Sequence, residues 1–90
     1  MTVEENKPAL TFPCEFPIKI MGLSSDRFET DLVVIVRKHV PDLGEGAIKS
    51  RPSKNGKYTS ITITFTARSR EQLDQLYLEV NSHPDVRMVL

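Results

Sequence analysis

This chain of 90 residues has one cysteine, no tryptophan and no excess charge of either sign, with 12 basic against 12 acidic residues. Each scarcity removes a class of protein. A lone thiol forms no internal disulfide, so the chain is no cross-linked secreted scaffold and suits a reducing cytoplasm. Zero net charge removes the bulk electrostatic reason to expect nucleic acid or an anionic membrane surface. No apolar run approaches the ~20 residues that a membrane-spanning helix needs. Met1–Leu10 lacks a basic region followed by an apolar stretch, so no secretory leader and a cytoplasmic location are expected. One Cys and two His at scattered positions have no zinc spacing, and there is no Gly-rich phosphate loop. No metal and no cofactor are expected.

What is present is an ordered series of apolar patterns. Met1–Thr11 is polar and aperiodic and reads as a flexible tail; residues 12–90 read as a single domain. Phe16, Ile18 and Ile20 alternate with Pro17, Lys19 and Met21, a half-buried strand closed by Gly22. Phe28, Leu32, Ile35, Val36 and His39 then recur at helical spacing. Asp26 with Glu29 three residues on has the capping-box pattern, so the spacing predicts a helix over Asp26–His39, stopped by Pro41. A second capping box, Ser69 with Gln72, opens a helix over Ser69–Asn81 with the stripe Leu73, Leu76, Tyr77 and Val80. His83-Pro84-Asp85 reads as a turn into a last strand, Asp85–Leu90.

Between the helices lies a hairpin. A two-residue Asn55-Gly56 loop of the type I′ kind places Lys54 opposite Lys57. Counting back, Ile48 faces Ile63, Lys49 faces Thr62, Ser50 faces Ile61 and Arg51 faces Ser60. Isoleucines fall on one side and polar residues on the other, whereas a slip of one residue would scramble both faces. Pro52 has no N–H for a ladder bond, which puts its strand at a sheet edge.

The order β-α-β-β-α-β is the split βαβ, or ferredoxin-like, arrangement. Right-handed crossovers give an α+β two-layer sandwich, an antiparallel sheet in the order 4-1-3-2 with both helices on one face. The covered face takes Ile18, Ile20, Ile48, Ile61, Ile63, Phe65, Val86 and Met88. The open face takes Lys19, Met21, Lys49, Arg51, Tyr58, Ser60, Thr62, Thr64, Thr66, Arg87 and Val89, so all its charges are basic.

That segregation of charge is the main functional signal. Its plain reading is a solvated sheet surface, where Thr and long basic chains are ordinary. Its functional reading is a docking face for a protein partner through Lys19, Lys49, Arg51, Tyr58 and Arg87. Nucleic acid is disfavoured, because sheet platforms for RNA stack bases on two or three central rings and only Tyr58 is available. A second candidate is the turn Gly22, Ser24, Ser25 and Asp26 at a helix N-terminus, where N–H groups favour an anion; its plain reading is helix capping. Catalytic residues are not evident. Cys14 reads as apolar filler, His39 as a helix-end residue favoured by the dipole, and His83 as turn material. A Cys/His pair would need hydrogen-bond reach that no local spacing suggests.

Phe12-Pro13 through Phe16-Pro17, Lys19-Ile20-Met21-Gly22, the run Ser53–Ile63 and the ending Val86-Arg87-Met88-Val89-Leu90 together resemble the YbeD-like family of small bacterial proteins. The resemblance covers residues 12–90. It implies a ferredoxin-like fold akin to ACT-like regulatory domains in a bacterial cytoplasm, and brings no activity or catalytic residues with it. Amino-acid-binding domains of this topology hold ligands near the loop that corresponds to Gly22–Asp26, at a dimer interface. The expected function is a non-enzymatic regulatory or adaptor module that acts by binding. Its contacts would be an unknown protein partner or a second copy paired along the last strand. The alternative is a sensor of a small anionic or amino-acid metabolite.

Overall fold

The computed structural model describes residues 11–90. The expected tail falls almost wholly outside these residues; Thr11 alone is described, and it is exposed. The elements are β1 (Cys14–Leu23), α1 (Phe28–His39), a short 3-10 turn (Glu45–Ala47), β2 (Ile48–Pro52), β3 (Tyr58–Ala67), α2 (Arg70–Asn81) and β4 (Val86–Val89). The sheet order is β2-β3-β1-β4, the arrangement the sequence predicts. All pairings are antiparallel.

The central ladder is the longest element. β1 and β3 are each 10 residues and pair throughout, from Cys14 opposite Ala67 to Leu23 opposite Tyr58. Side chains alternate between faces along a strand, so Ile18, Ile20, Ile61 and Ile63 share one side, each 0% exposed. On them lie Phe28, Leu32 and Val36 of α1 and Leu73, Leu76 and Val80 of α2, the stripes expected from helical spacing. β1 reaches two residues further back than expected. Glu15 thereby joins the open face opposite Thr66, which corrects the expectation that all charges there are basic.

The start of α1 departs from the prediction. The helix begins at Phe28, its N-cap is Arg27, and no side chain caps it. Asp26 lies in the preceding turn. The cause is tertiary: the N–H groups of Leu23 and Ser24 donate to the carbonyls of Asp85 and Lys57, both at 2.9 Å. The chain is thus held extended until Ser25, whose carbonyl accepts from the Phe28 N–H at 3.3 Å. At α2 the expected cap forms, with the Gln72 N–H donating to Ser69 Oγ at 3.1 Å. The Gln72 side chain returns a bond to the Arg68 N–H at 2.6 Å, one residue before the position the motif predicts.

The β2–β3 register agrees with the predicted one at every pair, Ile48 opposite Ile63 through Arg51 opposite Ser60. The connection differs. The strands end at Pro52 and restart at Tyr58, and the Ser53 N–H donates to the Tyr58 carbonyl at 2.8 Å. Only Gly56 has positive φ, at 74°, so the type I′ turn, which needs two such residues, is absent. Asn55 Oδ1 instead accepts from the Lys57 N–H and the Ser53 hydroxyl, each at 3.0 Å. The wider loop keeps the same count of residues between paired positions, which is why the register survives. Pro52 sits on the edge strand, as expected.

β4 holds the other correction. Met21 is opposite Met88 and Gly22 is opposite Val86, so Arg87 is an extra residue in a β-bulge. The bulge reverses the alternation. Met88 lands on the open face and Val89, opposite the buried Ile20, packs against the core, the reverse of the expected assignment. The bulge lies beside a close approach of chains at Gly22. A Cβ there would lie 2.3 Å from the Asp85 carbonyl oxygen and 2.5 Å from Phe28 Cζ.

Two stability predictions follow from these contacts. Gly22→Ala is expected to cost about 1–3 kcal/mol in urea unfolding, since its Cβ must displace either β-strand backbone or the buried Phe28 ring. Ser69→Ala is expected to cost about 1 kcal/mol, whereas Asp26→Ala stays within about 0.5 kcal/mol because it caps nothing. Equal losses at the two positions would contradict the cap assignment.

Candidate binding face

The side of the sheet away from the helices is built in rows. Lys49 is opposite Thr62, and Thr62 is opposite Lys19. Lys19 exchanges backbone bonds with Leu90, of 3.1 and 2.8 Å. The next row runs Arg51, Ser60, Met21, Met88, and a third places Tyr58 opposite Leu23. Neighbouring strands lie about 4.8 Å apart, so Lys49 and Lys19, flanking Thr62, have backbones about 10 Å apart. Cations therefore occupy β2 and the middle of β1, hydroxyls occupy β3, and apolar side chains occupy the β1–β4 end.

Ser60 is at the centre. Three depressions meet there: a basin of about 560 Å³ lined by Lys19, Lys49, Ser50, Arg51, Ser60 and Thr62, and two apolar hollows. One hollow, of about 60 Å³, lies between Met21, Met88 and Leu90; the other, of about 190 Å³, lies between Met21, Pro52 and Tyr58. Ser60 lines all three because its side chain is too small to fill the space between rows. Lys57 Nζ lies 5.5 Å from the Tyr58 ring centroid, adding a cation beside the one aromatic that the described strands place on this face.

Of the expected docking residues, Lys19, Lys49, Arg51 and Tyr58 share this surface. Arg87 does not join them. It is the bulge residue, and its guanidinium donates to the carbonyls of Pro84 at 2.8 Å and Val86 at 3.3 Å. Met88 and Leu90 are the residues the sequence reading missed. Both are large and exposed, at 49% and 68%. A bulge leaves no mark in alternation, so the sequence carried no signal for Met88.

The turn Gly22–Asp26 is occupied by its own contacts. Gly22 is packed against Phe28 and Asp85. Ser24 Oγ bonds Thr59 Oγ1 at 2.6 Å, and the backbone N–H groups of residues 23, 24 and 28 have the carbonyl partners described above. Ser25 contributes its carbonyl to the turn. Asp26 lines an open groove of about 670 Å³ along α1 with Glu29, Thr30, Val33, Val34 and Arg37, so an anion there would meet two carboxylates.

Cys14, His39 and His83 occupy separate places. Cys14 is half-buried opposite Ala67. His83 Nδ1 accepts the Asp85 N–H at 3.1 Å, and its Nε2 is 3.1 Å from Asp31 Oδ2, so the ring fastens the β4 turn to α1. His39 Nε2 lies 2.8 Å from Glu79 Oε1, across the helix pair, and Lys38 pairs with the same carboxylate. Hydrogen bonds from Lys38 and then His39 hold the Glu79 carboxyl below the usual glutamate range. Among the described residues no group of three or more His, Cys, Asp or Glu could hold a metal ion. None of the helices described is long and apolar enough to cross a membrane.

Fold and face together define a ferredoxin-like module with a half-cationic sheet face that no described element covers. The family model described as "Protein of unknown function (DUF493)" matches residues 7–90, and the chain belongs to that family. It is 46% identical to a "UPF0250 protein" of Chromobacterium violaceum, covering 97% of this chain and 98% of that one. A "UPF0250 protein" of Neisseria gonorrhoeae is 43% identical over the full length of both. These relatives agree with the resemblance to small YbeD-like bacterial proteins. Among solved structures, protein HP0495 of H. pylori has a TM-score of 0.74 at 16% identity, covering 100% of this chain and 94% of that one. The ACT domain from GTP pyrophosphokinase of Chlorobium tepidum has a TM-score of 0.70 at 13% identity, covering 87% and 96%. At such identities the likeness is one of fold.

The Glu79 cluster sets a pH dependence. A carboxyl whose folded pKa is depressed stabilises the fold above its unfolded pKa, and that contribution is lost as pH falls through the folded value. Glu79→Gln should therefore melt below the parent protein near neutral pH and converge with it in acid. A gap in melting temperature that stays constant across that range would remove the ion pair as the cause.

Proposed function

We propose that this protein is a non-enzymatic regulatory or adaptor module that works by associating with another protein through the open sheet face. One observation carries the reading: exposed apolar Met21, Met88 and Leu90 adjoin the Lys19, Lys49 and Arg51 cluster on a face that no element among the described residues covers. Exposed apolar area rimmed by polar groups is the usual mark of an interaction surface. Self-association along β4 has less support. That strand is only 4 residues long, carries a bulge and has Arg87 folded over its turn carbonyls, which are familiar protections of a sheet edge. A small anionic or amino-acid ligand at Gly22–Asp26 also has less support, since several donors of that turn are engaged and carboxylates flank it. The likeness to an ACT domain brings no ligand by itself.

A photo-crosslinking amino acid placed at Thr62 tests the reading in cells, with the same group at Leu78, exposed on α2, as the comparison. The expected result is a protein adduct from Thr62 and none from Leu78. Adducts from Leu78 alone, or adducts to nucleic acid, would overturn it.

A further inference from the structure

The face narrows the chemistry of its partner. Arg27, Lys38 and Arg68 each have a carboxylate within 4.0 Å, but Lys19, Lys49 and Arg51 have none among the described residues. Covering an uncompensated cation is costly unless the partner supplies the opposite charge. A neutral or basic surface would therefore be rejected by the β2 half. The β4 half sets the opposite condition. Met21 and Met88 are directly opposite each other and bound a mostly apolar hollow with Leu90, which an apolar side chain fills better than a polar one. Methionines adapt to varied apolar shapes, and Arg51 can grip a carboxylate with two parallel bonds.

The face is also shallow and open, whereas small-molecule sites are concave and enclose most of their ligand. A macromolecular segment fits better. Nucleic acid would supply anions but needs rings to stack on, and on this face β1 and β3 offer Tyr58 alone, since Phe16 and Phe65 lie on the core side. Its phosphates would also leave the methionine hollow unfilled.

We infer that the open face receives an acidic, apolar segment of a partner protein. Its Asp or Glu side chains meet Lys19, Lys49 and Arg51. An apolar side chain about 10 Å away, two strand spacings on, enters the hollow between Met21, Met88 and Leu90. This rests on the reading of the face as a protein-docking surface and adds the partner's chemistry to it.

The test uses the full chain and four fluorescently labelled probes in anisotropy titrations: a mixed Glu/Leu peptide, a Glu/Ser peptide, a Lys/Leu peptide and oligouridylate. The expected result is tightest binding of the Glu/Leu peptide, weakened more than about tenfold by Lys49→Glu with Arg51→Glu. Met21→Ser with Met88→Ser should remove its advantage over the Glu/Ser peptide. The charge-reversed protein should gain affinity for the Lys/Leu peptide, a result that loss of folding cannot produce. Equal binding of the Glu/Leu and Lys/Leu peptides by the parent protein, or tighter binding of oligouridylate, would overturn the inference. If Thr62 still crosslinks to protein in cells, such a failure removes only the acidic, apolar chemistry. If Thr62 yields no protein adduct, the docking reading falls with it. A face that crosslinks only to a second copy of this chain would also overturn the inference.

Discussion

Everything in this protein hangs on the parity of one ladder. β1 and β3 pair over their full length, and that pairing assigns Ile18, Ile20, Ile61 and Ile63 to a single side. Four fully buried isoleucines demand a cover, and both helices are spent on supplying it. With about 1.5–3 kcal/mol at stake for each large apolar side chain taken from water, the covered side has no rival. The opposite side is left bare by the same arithmetic, since no further element exists among the described residues to cover it.

The second constraint is local and acts at Gly22. There the β1 backbone, the β4 turn and the Phe28 ring approach too closely for any side chain. α1 starts late, because the chain after Gly22 is bonded to Asp85 and Lys57. Beside the glycine β4 carries an extra residue, since Val86 pairs with Gly22 while Met88 pairs with Met21. That extra residue turns Met88 outward and so creates the apolar part of the binding face.

The polar links between elements have a different role. Glu79 with Lys38 and His39 joins the two helices, and His83 with Asp31 joins the β4 turn to α1. They lie on the helix side or at the sheet's end, away from the cations of the open face. Among the described residues Lys19, Lys49 and Arg51 of the open face take part in no such links.

Much of this was legible in the amino acids alone. Alternation named the strands, helical spacing named the two stripes, and the count through Asn55-Gly56 set the β2–β3 register correctly even though the loop is wider than the turn it suggested. Those features depend on near neighbours, which a sequence displays directly. Lys19, Lys49, Arg51 and Tyr58 were placed together for the same reason, because parity carries across a sheet once the order of strands is known. The idle capping box at Asp26, the presence of Glu15 on the open face, the exchange of Met88 for Val89 and the removal of Arg87 from the cluster were not legible. Each was decided by tertiary structure, through a contact between residues far apart in the chain: Cys14 with Ala67, Ser24 with Lys57, and Gly22 with Asp85. Pattern determines which side of a strand a residue takes, but only the packed molecule decides where a strand must start, stop or bulge.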